Sequence, residues 1–210
     1  TRYISVTGVQ TCALPIFVYS SIGVNGANVT LLSRAMNLKH WEEELRHYKP
    51  DLVIVNYGTN ESGFPDFVDG TWGRELRLAV ARLREALPET SILLMSPMDR
   101  GELKPTGEID TIAALPRLVN TESRIAFDTK VAFFNTFEAM GGQGTMARWY
   151  SSEPRLVGAD YIHPMPAGAK IVGELLYSAL REGFQQYKIQ ALKERMADTS
   201  KPEAEAATRP

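Results

Sequence analysis

Leu52-Val-Ile-Val-Asn56 and Ser91-Ile-Leu-Leu-Met95 are continuous apolar runs with no polar alternation. A strand can be apolar on both sides only where both sides are covered, which is the situation of a parallel sheet between layers of helices. The intervening segments supply those helices. Gly73 to Leu87 sets Leu76, Ala79, Val80, Leu83 and Leu87 on one stripe with Arg and Glu opposite, and Pro88 stops it. Ile112 to Lys130 repeats the spacing, and Ala27 to His40, Trp41 to Tyr48 and Gly168 to Phe184 also read as helical. Val18 to Ile22 and Val131 to Phe134 are further β-prone runs, whereas Ser96 to Gly107 and Met140 to about Asp160 read as loops. This alternation predicts an α/β fold: a three-layer α/β/α sandwich of flavodoxin-like shape, with helices on both faces of a parallel sheet. Ligands of such sheets sit beyond the carboxyl ends of the strands, so the loops that follow each strand are where chemistry is expected.

Composition narrows the partners. The 23 basic and 25 acidic side chains leave a net charge of −2, with no basic surplus to attract phosphate backbones. No nucleic-acid partner is expected, and no apolar run approaches the length of a membrane span. Cys12 stands alone, so neither an internal disulfide nor a Cys-rich metal site is available.

Three polar clusters fall at strand ends or before the last helix: Gly23-Val-Asn-Gly26, Gly58-Thr-Asn60 and Asp160-Tyr-Ile-His163-Pro164. A serine hydrolase needs an imidazole that takes a proton, a carboxylate that fixes its tautomer, and N–H donors aimed at the developing oxyanion. His163 and Asp160 meet the first two needs, while the Gly26 backbone N–H and the Asn60 side-chain amide meet the third. Asn25, Glu61, Gly141 and Gly142 are candidates to line the substrate cleft. A glycine-rich turn after Phe134 explains the last two nearly as well. His40 and His47 read as solvated helix-face histidines. Asp160, His163 and Glu61 include one histidine only and no HExxH spacing, so no metal and no cofactor is expected.

At these residues the chain resembles the SGNH/GDSL-type esterase superfamily over roughly residues 18–183. Gly26 sits like its second-block glycine, Gly58-x-Asn60 like its third block, and Asp160-x-x-His163 like its fifth. Gly-Val-Asn-Gly-Ala, Tyr-Gly-Thr-Asn-Glu and the Met-Gly-Gly loop are most similar to the group of peptidoglycan O-acetylesterases and carbohydrate acetylesterases. The resemblance implies a serine esterase acting on O-acyl, in particular O-acetyl, esters of carbohydrate or peptidoglycan, in a periplasmic or secreted setting. One block departs. The Gly-Asp-Ser segment that bears the nucleophile has no counterpart; Ser5 lacks its context, and Ser20 and Ser21 precede the glycine loop. The first strand is therefore expected to be missing or replaced, and the alternative reading is a catalytically inactive fragment or a non-catalytic carbohydrate-binding or structural module.

Residues 1–17 lack periodicity and resemble the translation of a sequencing adapter, so they read as a non-native leader. Residues 18–184 then form the C-terminal part of the hydrolase domain, and residues 185–210 a helical extension with a disordered tail.

Overall fold

The computed structural model describes residues 18–199. The expected leader and most of the expected disordered tail lie outside the described residues. Three parallel strands make the main sheet: β1 (Leu52–Val55), β2 (Ser91–Met95) and β5 (Ala132–Phe134), in the order β1-β2-β5. Leu52 to Val55 lie opposite Ser91 to Leu94, and Leu93 to Met95 opposite Ala132 to Phe134. α1 (Leu38–Tyr48) precedes β1, and between the strands run the single turn α2 (Pro65–Phe67), α3 (Gly73–Ala86) and α4 (Leu115–Thr129). The short α5 (Thr136–Ala139) and α6 (Thr145–Tyr150) follow, and α7 (Pro166–Thr199) closes the described chain.

Side-chain alternation along β2 shows how the sheet is covered. Ile92 and Leu94 point into one cluster with Leu76, Val80 and Leu83 of α3 and Leu115, Leu118 and Ile125 of α4. Met95, on the opposite face, packs with Ile171, Val172 and Leu175 of α7 and with Met146 and Trp149 of α6. Helices thus lie on both faces. Each buried Leu, Ile or Val of these clusters contributes about 1.5–3 kcal/mol by leaving water.

Local chemistry explains the helix ends. Asn37 caps α1 by accepting the His40 N–H at 3.1 Å, and left-handed Lys49 followed by Pro50 ends it. The expected helix from Ala27 to His40 is correspondingly broken: a π-type turn at Leu31–Ala35 stops at Met36, which has extended backbone, before α1 begins. Three segments differ further from expectation. Val18 to Ile22 forms no strand and its apolar side chains are exposed, because a β-prone run becomes a strand only against a partner, and the described residues offer it none. Within Ser96 to Gly107 begins an antiparallel hairpin, β3 (Gly101–Leu103) with β4 (Ile109–Thr111). The loop after Met140 contains α6, and α7 continues through residues 185–199 as one helix.

Candidate active site

The carboxyl ends of the three strands are laced together. The Asn56 amide donates to the carbonyls of Met95 (2.8 Å) and Ser96 (3.2 Å), and the Ser96 N–H donates to the Phe134 carbonyl at 3.0 Å. Asn135 caps α5 by accepting the Glu138 N–H. Loops leaving this end therefore start from fixed points.

Asp160 and His163 lie in a closed turn before α7. The Gly158 N–H donates to the His163 carbonyl at 2.8 Å, and Val157 bridges Pro164. Asp160 Oδ1 accepts the N–H groups of Ile162 and His163, each at 3.0 Å, while Oδ2 lies 2.6 Å from His163 Nδ1. The bond to the His163 ring, aided by the backbone donors, holds the Asp160 carboxyl at about 2 against an ordinary 3.8. A carboxylate so placed on Nδ1 leaves Nε2 as the nitrogen that can exchange a proton. The His163 side chain is 80% exposed, so that nitrogen is reachable from solvent. Tyr161 takes φ +60 inside this turn, a left-handed conformation that a bulky residue keeps only where its surroundings hold it.

Gly26 and Asn60 stand on neighbouring loops. Gly26 has φ +70 at the end of a turn closed by the Ala27 N–H on the Val24 carbonyl, and its own N–H meets no protein acceptor among the described residues. Asn60 is exposed and donates one amide hydrogen to the Ala27 carbonyl at 2.7 Å, which leaves the second for a ligand. Arg100, beside the hairpin, donates to the Thr59 carbonyl at 2.6 Å, and the Gly101 N–H donates to the Tyr161 carbonyl at 2.9 Å. One segment thereby touches both the Asn60 loop and the His163 loop. Arg100 is not recognisable from the sequence, because an isolated arginine in a polar loop has no pattern to mark it.

The cleft candidates separate. Asn25 is exposed beside Gly26. Glu61 is instead 2% exposed, with both carboxylate oxygens taken by backbone N–H groups, so it lies beneath the loops and lines no cleft. Gly142 is buried, its N–H on the Phe137 carbonyl and its own carbonyl accepting from the Thr145 hydroxyl at 2.6 Å. The exposed Gly141 gives its carbonyl to Arg148. These two glycines join α5 to α6. His40 and His47 are exposed on α1, and the described residues hold no cluster of three metal-ligating side chains.

The sequence matches the GDSL-like Lipase/Acylhydrolase family over residues 10–171. Among solved structures, a peptidoglycan O-acetylesterase in action is 27% identical, with TM-score 0.69 over 80% of this chain and 47% of that one. An acetylxylan esterase from Geobacillus stearothermophilus is 20% identical, with TM-score 0.50 over 72% of this chain and 66% of that one. The chain thus spans about half the length of the first and about two thirds of the second. No curated protein matches. Among the described residues no helix is long and apolar enough to cross a membrane.

Proposed function

Since the chain belongs to the GDSL-like lipase/acylhydrolase family, we propose that it carries the proton-transfer pair and the oxyanion donors of a serine esterase acting on O-acetyl groups of carbohydrate or peptidoglycan. The observation that carries this reading is the Asp160–His163 pair, whose 2.6 Å contact on Nδ1 fixes the tautomer a general base requires. The two solved acetylesterases of similar fold support the choice of acetyl and carbohydrate.

In this reading the nucleophilic serine comes from a Gly-Asp-Ser segment outside the described residues. Its Oγ adds to the ester carbonyl while His163 Nε2 takes its proton. Charge develops on the carbonyl oxygen, where the Gly26 N–H and the Asn60 amide meet it. The tetrahedral species collapses by breaking the bond to the sugar oxygen, which leaves with the proton from His163. Water then adds to the acyl-serine, again giving its proton to His163, and acetate departs as the serine regains a proton. One oxyanion donor of this kind contributes about 10²- to 10³-fold to kcat, and a positioned base about 10²- to 10⁴-fold.

A second reading, a non-catalytic module, is favoured by one observation: no serine among the described residues hydrogen-bonds to the His163 ring, and Ser20 and Ser21 are exposed ahead of the glycine loop. Hydrolysis of p-nitrophenyl acetate separates the two. The chain is assayed beside a form carrying a restored upstream Gly-Asp-Ser segment, each with a His163→Ala control. Activity confined to the restored form and abolished by His163→Ala is the expected result. Silence of a folded restored form would favour the module, and activity of the chain itself would place a nucleophile within residues 1–210.

A further inference from the structure

The Gly26 loop and the Asn60 loop, the latter following β1, lie side by side, and a single side chain spans them from below. Glu61 Oε1 accepts the Val29 N–H at 2.6 Å, and Oε2 accepts the Gly58 N–H at 3.0 Å. Val29 stands three residues after Gly26, and Gly58 two before Asn60. The Asn60 amide on the Ala27 carbonyl adds a second link above the carboxylate. A fully buried carboxylate is costly to keep, and hydrophobic residues of similar size hold two loops together more cheaply. What the carboxylate alone provides is two acceptors at a fixed separation, one for each loop.

We infer that Glu61 is the positioning residue of the oxyanion site: by accepting from both Val29 and Gly58, its carboxylate sets the distance between the Gly26 N–H and the Asn60 amide. The inference rests on the oxyanion role proposed for Gly26 and Asn60. Burial raises the Glu61 carboxyl above its ordinary range, and the N–H groups of Val29, Glu61 and Gly58 pull it back. Glu122, buried on α4 with Oε2 unpartnered among the described residues, is pushed well above the ordinary range by burial and then by the charge of Glu61. One backbone N–H on each oxygen is the setting a carboxylate fills, and Glu61 is the group that both loops grip. A glutamine at position 61 has one acceptor oxygen and turns its NH₂ group toward an N–H, so it grips one loop and repels the other.

Acetate, the product anion, probes the oxyanion site without a nucleophile. Sodium acetate is titrated into the ¹⁵N-labelled full chain while the Gly26 N–H and the Asn60 side-chain amide are followed by NMR. Both resonances are expected to move, with the acetate dissociation constant at least ten-fold weaker in Glu61→Gln. Glu75→Gln is the control for a merely structural role: Glu75 is equally buried and bonds Ser33, but it touches neither loop, so acetate affinity should stay within two-fold. Equal affinity in the native chain and Glu61→Gln would overturn the inference while leaving the Gly26 and Asn60 reading intact. No response at Gly26 and Asn60 in the native chain would remove that reading, and the inference with it. Should Glu61→Gln not fold, hydrogen exchange in the native chain decides: the Val29 and Gly58 amides are expected to open together and to gain protection together with acetate, and independent opening would overturn the inference.

Discussion

Two carboxyl groups in this chain are shifted in opposite directions, and their surroundings account for both. Asp160 is half exposed and held by His163 and two backbone donors, so its carboxyl sits at about 2. A carboxyl depressed in the folded state contributes stability above its ordinary value and loses it as the pH falls through the folded one. Because the pair is exposed, solvent screens it and the melting temperature should respond little. The titration itself is the sensitive readout. In ¹³C-detected NMR the Asp160 carboxyl should titrate near 2 in the native chain, and in His163→Ala it should move back toward its ordinary value of 3.8. An unchanged midpoint in His163→Ala would break the link between the two side chains. Glu122 behaves the other way: burial keeps its proton on, so the folded chain binds that proton more tightly than the unfolded chain. Its contribution is therefore complete below the ordinary value of 4.5 and is lost as the pH rises toward the folded one. Thermal melts should show stability falling above pH 4.5. Glu122→Gln, neutral and of the same size, should flatten that fall and melt higher at pH 8.

Elements whose pattern is local were legible in the sequence, and those set by tertiary contact were not. β2 spans the expected Ser91 to Met95, and α3 ends one residue short of the expected Leu87, because an apolar run or an amphipathic stripe carries its own period. The Asp160–His163 turn was readable for the same reason, since two residues three apart can meet within one turn. The β3–β4 hairpin was hidden because its strands are three residues long and are held from outside: Asp99 accepts the Thr111 hydroxyl at 2.7 Å and the Met146 N–H at 2.8 Å. Glu61, a cleft candidate by its place beside Asn60, lies beneath the loops because of contacts 32 residues away at Val29 that leave no trace in the local sequence. The first turn of α7 shows how tightly such contacts can fit. Gly168 is buried against the loop before the Asp160 turn, and a Cβ there would lie 2.2 Å from the Leu156 carbonyl oxygen and 3.0 Å from Trp149. The nearer obstacle is backbone, and Leu156 also pairs with Trp149 and Met165, so it cannot yield alone. Gly168→Ala should cost about 1–3 kcal/mol, the range for overpacking a filled site, despite the better helix propensity of alanine. Chemical denaturation measures the loss, and a His163 ring shift would report displacement of the turn. A neutral or stabilising substitution would show that α7 can slide.

At the scale of the molecule, coverage of the sheet is uneven. The face that receives Ile92 and Leu94 is closed by α3 and α4, and α7 covers the other face at Met95. β1 is different. Among the described residues it pairs with β2 alone, Leu52 is 39% exposed, and Ile54, on the same face as Leu52, is only half-buried. A parallel strand whose second edge is unpaired among the described residues, with an apolar side chain exposed beside it, offers both hydrogen-bonding groups and hydrophobic surface to a second chain. Val18 and Ile22, about 80% exposed, enlarge the apolar surface of the described chain. The chain should therefore associate on warming, with light scattering rising at a temperature that falls as concentration increases. A charge on such a strand is the remedy that edge strands commonly use, and Leu52 tolerates one because its side chain already reaches solvent. Leu52→Lys should raise the onset of scattering while leaving the far-ultraviolet circular dichroism unchanged, since Val53 and Val55, which face the α3 and α4 cluster, are untouched. If Leu52→Lys scattered at the same temperature as the native chain, association would arise elsewhere. The next surface to test would be α7, whose Tyr177, Phe184 and Tyr187 are exposed at intervals of seven and three residues along one side of the helix.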